Sequence, residues 1–240
     1  MITELWAAED DRRRLMVLEQ QLPDGRKFRW LCSCMPGAPL VVESVVGIRS
    51  CLKRRHRTTT SFDRDVLLPA YHRVMASALC MRCGCARHIC IMGLGGGVLP
   101  LFIAQHIYPR AVMSAVEADA RIARAASEFF GVHEGPRLRV HIMDVAAYFA
   151  RFPSSRFDVL LLDVGHGAPC LKAPPRRLIT LSALRKLRNH LRKGGILLMN
   201  FVGDANHLRY VKGSVSRAFG SRNIHAIDTC EGNQVIVATS

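Results

Sequence analysis

No run of apolar residues in this 240-residue chain reaches the ~18 that a membrane-spanning helix needs. The nearest candidate, HICIMGLGGGVLPLFIAQH (88–106), is interrupted by glycines and a proline. The opening MITELWAAEDDRRR places acidic residues early and lacks the basic-then-apolar order of a signal peptide. These two absences lead us to expect a soluble, cytoplasmic chain with no membrane partner. Cysteine pairs at zinc-knuckle spacing are also missing. Of nine cysteines, Cys32/Cys34 and Cys83/Cys85 stand one residue apart rather than two, and Cys80, Cys90 and Cys230 lie in or beside apolar runs, so no metal is expected. Aromatic residues are scarce at 7%, and none interleaves with the densest basic run, LKRRHR (52–57). That run therefore lacks the stacking platforms of a single-strand binder and reads first as a solvated loop. There is no internal repeat and no long low-complexity segment.

Carboxylates are few: 19 against 34 Lys and Arg, for a net charge of +15 and a pI near 10.1. Such a balance favours acidic partners, including a weak nucleic-acid or ribosome contact through the basic surface, without specifying any chemistry. Hydrophobic residues make up 49% of the chain and the mean hydropathy is +0.11, as expected of a packed globular protein, and the length suits one well-cored domain of the larger kind or one domain plus a small appendage.

From residue 88 onward, short apolar runs alternate with amphipathic stretches. HICIMGLG reads as a buried strand entering a glycine turn, and VLPLFIAQHI as the helix after it. AVMSAVEAD is a second strand, followed by the helical ARIARAASEFFG with Gly131 as its C-cap. RLRVHIMD, FDVLLLDV and GGILLMNFV complete five strands, an order that implies a parallel sheet covered on both faces. The end breaks the pattern, because NIHAIDTC and NQVIVATS are joined by EG, a hairpin signal. Before residue 61, RKFRWLC and PLVVESVVGI predict a small β-hairpin region and a basic loop. SFDRDVLLPAYHRVMASALCM (61–81) predicts a helix capped by Asp63 or Asp65.

Gly93, Gly95, Gly96 and Gly97 follow a strand and precede a helix, where bare backbone lets a ligand approach and leaves amides free to donate. A dinucleotide fingerprint would put glycine at 98, but Val98 stands there. Glu117 ends the second strand, where a carboxylate can accept both hydroxyls of a ribose, while Asp119 suits the cap of the next helix. Asp144 ends the third strand and Asp163 the fourth. Together they mark a crevice at the carboxyl edge of an open sheet.

GLGGGVLPLFIAQHIYP, AVEAD, RVHIMD with AAYF, and FDVLLLDV resemble the spermidine synthase-like branch of the class I methyltransferase fold. Within it they are most similar to the C-terminal domain of the elongation factor 1-alpha lysine and N-terminal methyltransferases. The resemblance implies an α/β Rossmann-like fold whose central, mostly parallel sheet ends in an antiparallel hairpin. It divides the chain into an N-terminal β-hairpin region with the basic loop (1–60) and a methyltransferase domain (61–240). It also implies S-adenosyl-L-methionine as cofactor, held by Gly93, Gly95, Gly96, Gly97, Glu117, Asp144, Val145 and Asp163. Asp144 would hold the adenine amino group, and the donor's carboxylate would meet the loop amides. Asp163 would be catalytic, orienting an acceptor amine. Tyr71, His72 and His166 would line the entry of a protein substrate, with elongation factor 1-alpha the implied partner and a homodimer the implied assembly. Polyamine aminopropyl transfer and an inactive, RNA-binding relative are the alternatives. The chain departs from the polyamine synthases in reading Tyr71-His72-Arg73 where they carry Tyr-His-Glu, and in lacking their acid-rich segment after the fourth strand. Val145 replaces the usual glycine after the adenine-site aspartate.

Overall fold

A computed structural model describes residues 1–54, 57–81, 84–165 and 172–240, with the backbone alone described over 50–54 and 57–59. Two sheets organise the chain. The first is an antiparallel meander of β1 (Ile2–Glu9), β2 (Arg14–Gln21), β3 (Lys27–Cys34), β4 (Val41–Arg54) and β5 (Arg57–Asp63), in that spatial order. This is larger than the expected hairpin and runs past residue 60. The basic run is not a free loop either: its described residues are the paired ends of β4 and β5, with Arg54 opposite Arg57. The expected helix over 61–81 is correspondingly shortened. Residues 61–63 stay in β5, and α1 (Ala70–Met81) starts only after Pro69, whose ring would clash with a preceding helical turn. Asp63 and Asp65 hold Arg49 instead of capping. The first amide of α1, on Ala70, donates to Glu231 Oε2 at 2.8 Å, so the cap comes from the far end of the chain.

The second sheet has seven strands: β6 (His88–Met92), β7 (Val112–Glu117), β8 (Leu138–Ile142), β9 (Phe157–Leu162), β10 (Leu191–Phe201), β11 (Ile224–Asp228) and β12 (Gln234–Thr239). Their order is β11-β12-β10-β9-β6-β7-β8. β8, β7, β6, β9 and β10 are parallel, whereas β12 runs antiparallel to both β10 and β11. The central strands are buried on both faces, which is why ICIM of β6 and VLLL of β9 read as continuous apolar runs.

Helices α1, α2 (Val98–Phe102) and α3 (Ala120–Phe130) cover one face together with the N-terminal sheet; Leu15, Val17, Leu31 and Val46 join Ile122, Ala126 and Phe130 in one core. Beyond Phe102, α2 continues as a π turn, Ile103–Ile107. On the other face lie α4 (Val145–Arg151), α5 (Leu181–His190) and α6 (Ala205–Phe219), packed through Phe149, Leu184, Leu187, Val211 and Phe219. α3 is capped at both ends as its sequence predicts, by the Asp119 side chain on the Arg121 amide and by Gly131 in the left-handed region.

The N-terminal sheet docks on α3 through charge as well as apolar contact. Arg29 is buried, with Nη1 on the Phe129 carbonyl at 2.9 Å and Nη2 on Glu19 at 2.6 Å, while Arg64 reaches the Gly131 carbonyl at 3.0 Å. Two guanidinium groups thus meet the carbonyl end of one helix, where its dipole is negative. At the opposite end, Arg13 from the β1–β2 turn donates to the capping Asp119 at 2.7 Å.

Candidate active site

The carboxyl ends of β6, β7, β8 and β9 open into a cavity of about 1080 Å³, closed from the side by the N-terminal sheet. Its lining includes Gly93, Gly95, Glu117, Asp144, Val145, Asp163, Tyr71 and His72. His166 lies outside the described residues. The expected constellation therefore converges on one space, with two exceptions.

Gly96 and Gly97 do not line the cavity. A side chain on Gly97 (φ +71°) would collide with Val132, and one on Gly96 would come within 2.9 Å of both Phe130 and Ser44. Gly93 (φ +93°) presses against the Asp163 carbonyl, which leaves no room for a Cβ. The bareness of the loop thus serves its own packing as much as access. Most of its amides are engaged: Gly93 donates to the Val116 carbonyl, Leu94 to the Glu117 carboxylate, Gly96 to Ser44 Oγ and Gly97 to the Leu94 carbonyl. Four of the five amides at 93–97 thus have partners within the protein, which narrows the expected meeting of a ligand carboxylate with unpaired amides to Gly95, and β4 takes part by supplying Ser44 to the loop. Sequence reasoning missed this role of β4, since nothing local in VVESVV marks Ser44 as a partner of residues fifty positions on.

Glu117 is 9% exposed, and its oxygens accept from Leu94 at 3.0 Å and from Asp119 at 3.0 Å. Burial pushes its carboxyl above the usual range, partly opposed by these amide bonds. Asp144 caps α4 through the Ala146 amide and pairs with Arg177 at 2.7 Å. Asp163 is held at both oxygens by neutral or imidazole groups. Its Oδ2 accepts from the Tyr71 hydroxyl at 3.2 Å and faces His72 Nε2 at 3.3 Å; its Oδ1 accepts from Asn200 Nδ2 at 2.9 Å. Burial, and then the Asp163 charge, push the Tyr71 hydroxyl well above its ordinary value, so it remains a donor at neutral pH. His72 is buried, and its Nδ1 has no partner among the described residues. Asn200 and Asn233, which also line the cavity, were not anticipated. They lie on β10 and beside the C-terminal hairpin, whose antiparallel return is what brings them to the strand edge.

Seven carboxylates line the cavity, and five are matched to arginine: Asp10 with Arg121, Glu43 with Arg13, Asp119 with both, Asp144 with Arg177, and Glu231 with Arg73 at 3.7 Å. Glu117 and Asp163 are the two without an arginine or lysine partner among the described residues. They stand at the ends of β7 and β9, on either side of β6.

The chain has the fold of the spermidine synthase-like class I methyltransferases. No protein-family model matches it. It is 30% identical over 155 residues to the human eEF1A lysine and N-terminal methyltransferase, a match that covers 59% of this chain and 22% of that protein, so the chain corresponds to a minor part of that relative's length. Among solved structures, human methyltransferase-like protein 13 in complex with SAH superposes with a TM-score of 0.64 at 25% identity, over 71% of this chain and 82% of that one. A probable spermidine synthase from Corynebacterium glutamicum superposes with a TM-score of 0.71 at 19% identity, over 98% of this chain and 79% of that one, showing the shared fold.

Proposed function

We propose that this protein is an S-adenosyl-L-methionine-dependent protein methyltransferase acting on an amine, either the α-amine of a protein N-terminus or a lysine, with elongation factor 1-alpha as the substrate its relatives' names suggest and the cytoplasm as its place of work. The observation that carries the reading is the pair of carboxylates left without an arginine, Glu117 on the donor side and Asp163 on the acceptor side. A nucleoside fits the first. Glu117 already accepts backbone amides, yet a carboxylate offers about four lone-pair sites, which leaves capacity for ribose hydroxyls. Val116, Ala118, Ile122 and Val145 provide apolar lining beside it, with Asp144 at the same side.

When bound, S-adenosyl-L-methionine supplies an electrophilic methyl group on a sulfonium, open to in-line displacement. The chain's own contribution is positioning. Asp163, held at both oxygens, accepts an N–H of the acceptor amine and so aims its lone pair. Tyr71 and His72 fix the Oδ2 edge, Asn200 the Oδ1 edge. An ionised Asp163 can only accept, so His72 donates through Nε2. An α-amine with a reference pKa of about 8 is neutral in an appreciable fraction at physiological pH and needs no strong base. A lysine, at about 10.4, depends on desolvation in the cavity to reach the same state. A single carboxylate without a cationic partner on the acceptor side suits one amine better than a diamine, which argues against polyamine synthesis.

The test is incubation of the protein with isotopically labelled S-adenosyl-L-methionine and elongation factor 1-alpha, read by peptide mass spectrometry. Label on the N-terminal amine or a lysine, lost in Asp163→Ala while donor binding persists by calorimetry, supports the reading. Product formed only from decarboxylated donor with putrescine overturns it.

A further inference from the structure

The positive charge of the chain is concentrated. From Arg176 to Arg222 the sequence holds eleven Lys and Arg against a single carboxylate, Asp204, so this fifth of the chain carries +10 of the net +15. The fold gathers that charge on one side. α5 and α6 pack next to each other on the sheet face opposite the N-terminal sheet, and Arg188 of α5 donates to the Ala218 carbonyl of α6 at 3.0 Å. Their apolar sides face the core, which turns their charged positions outward: Arg185, Lys186, Lys212 and Arg217 are exposed, as are Lys193 and Arg222 just past the ends of the two helices. The ion pairs of this region are Arg177–Asp144, Arg192–Asp158 and Lys172–Asp204. The six exposed cations have none among the described residues. Toward the cavity the row ends at Arg176, stacked on Tyr210 of α6 with its guanidinium 4.8 Å from the ring centre.

We infer that the α5–α6 face docks on the phosphate backbone of double-stranded RNA. A protein partner would call for an apolar or aromatic anchor at the centre of the contact. No large apolar side chain is exposed anywhere from Arg176 to Arg222. Nucleic-acid interfaces are instead polar and strongly positive. The face carries no exposed aromatic to stack an unpaired base, and both helices lie flat on the sheet, so neither protrudes to enter a B-form major groove. A-form RNA is met across its surface through phosphates and hydroxyls, which a flat basic face matches. The 15 residues of α6 span about 22 Å, long enough to lie along several phosphates. Crowding ten like charges also costs the isolated fold self-repulsion, which a polyanion relieves. The inference is independent of the reaction proposed for the cavity.

The test is fluorescence anisotropy of a labelled RNA duplex across a KCl series, with wild type, Lys186→Glu/Lys212→Glu, and the milder Lys186→Gln/Lys212→Gln in case the reversal perturbs folding. Each variant is checked for an unchanged melting temperature and unchanged binding of S-adenosyl-L-methionine. Wild type is expected to bind with a steep negative slope of log affinity against log salt. The Gln variant should lose about tenfold in affinity and reduce the slope by about 2. Absence of salt-dependent RNA binding, binding undiminished in both variants, or equal affinity for a DNA duplex or for polyglutamate would each overturn the inference.

Discussion

Asn200 and Asn233 are joined end to end: Asn233 Nδ2 donates to Asn200 Oδ1 at 2.8 Å, which obliges Asn200 to present Nδ2 to Asp163 Oδ1. Asn233 is itself pinned by Thr229, whose Oγ1 accepts the Asn233 amide and donates to its carbonyl. The C-terminal hairpin thus sets the orientation of the carboxylate at the far end of β9. Asn233→Ala frees Asn200 to flip without touching the cavity's charge. The expected result is a kcat lowered about tenfold, since a loosely held reacting group loses much of the gain from orientation. The KM for S-adenosyl-L-methionine should stay as in wild type, and a steady-state split of the two constants checks this.

Glu117 provides a pH signature on the donor side. Its carboxyl is raised by burial, so in the native protein it keeps its proton to a higher pH than in the unfolded chain. Donor binding that needs the ionised form therefore tightens as pH rises from the ordinary glutamate range through the raised value. Stability from this group runs the other way and declines over the same window. Glu117→Gln removes both dependences and weakens donor binding at neutral pH by about 10- to 100-fold, the loss of hydrogen bonds to a charged acceptor at ~1.5–3 kcal/mol. Calorimetric titrations at several pH values compare the two; a wild-type affinity flat with pH sinks the assignment.

How far the sequence could be read depended on whether a signal was local. Strand ends were legible because FDVLLL and HICIM are apolar after their first one or two residues and stop at a carboxylate or a glycine, and so Glu117, Asp144 and Asp163 fall on one edge. Gly131 and Asp119 as caps were equally local. The five-stranded sheet was not legible, because β1, ITELWAAE, is almost wholly exposed and lacks the alternation of a half-buried strand. Ser44 under the glycine loop, Glu231 on α1, and Asn233 behind Asp163 are contacts across 52, 161 and, through Asn200, 33 positions. Such pairings are set by tertiary packing, and no pattern of spacing announces them.

Asp119 ties the N-terminal sheet to α3. Burial pushes its carboxyl up, but hydrogen bonds from Arg121 and Arg13 outweigh this and hold it well below the ordinary range. A carboxylate depressed in the native state contributes stability that is fully present above its unfolded value and is lost as pH falls through the native value. Asp119→Asn is expected to lower stability at neutral pH by about 2 kcal/mol, the scale of hydrogen bonds to a charged group. The difference from wild type should shrink below about pH 4, where the unfolded aspartate protonates. Urea melts at neutral and acidic pH measure both effects.

Two glycines separate packing from mere conformational freedom. Gly97 holds φ at +71° and sits against Val132, so Gly97→Ala meets both a left-handed backbone and a steric clash beside the cavity. The expected cost is about 3 kcal/mol, combining the αL penalty with overpacking. Gly213 lies within α6 and a Cβ there would meet nothing within 4 Å. Gly213→Ala should stabilise by ~0.5–1 kcal/mol, because alanine loses less backbone entropy in a helix. If the loop glycines existed only to admit a ligand, Gly97→Ala would weaken donor binding and leave the melting temperature alone. The packing seen here requires the reverse order of effects, with the melting temperature falling first, and thermal melts alongside donor titrations of both variants discriminate the two.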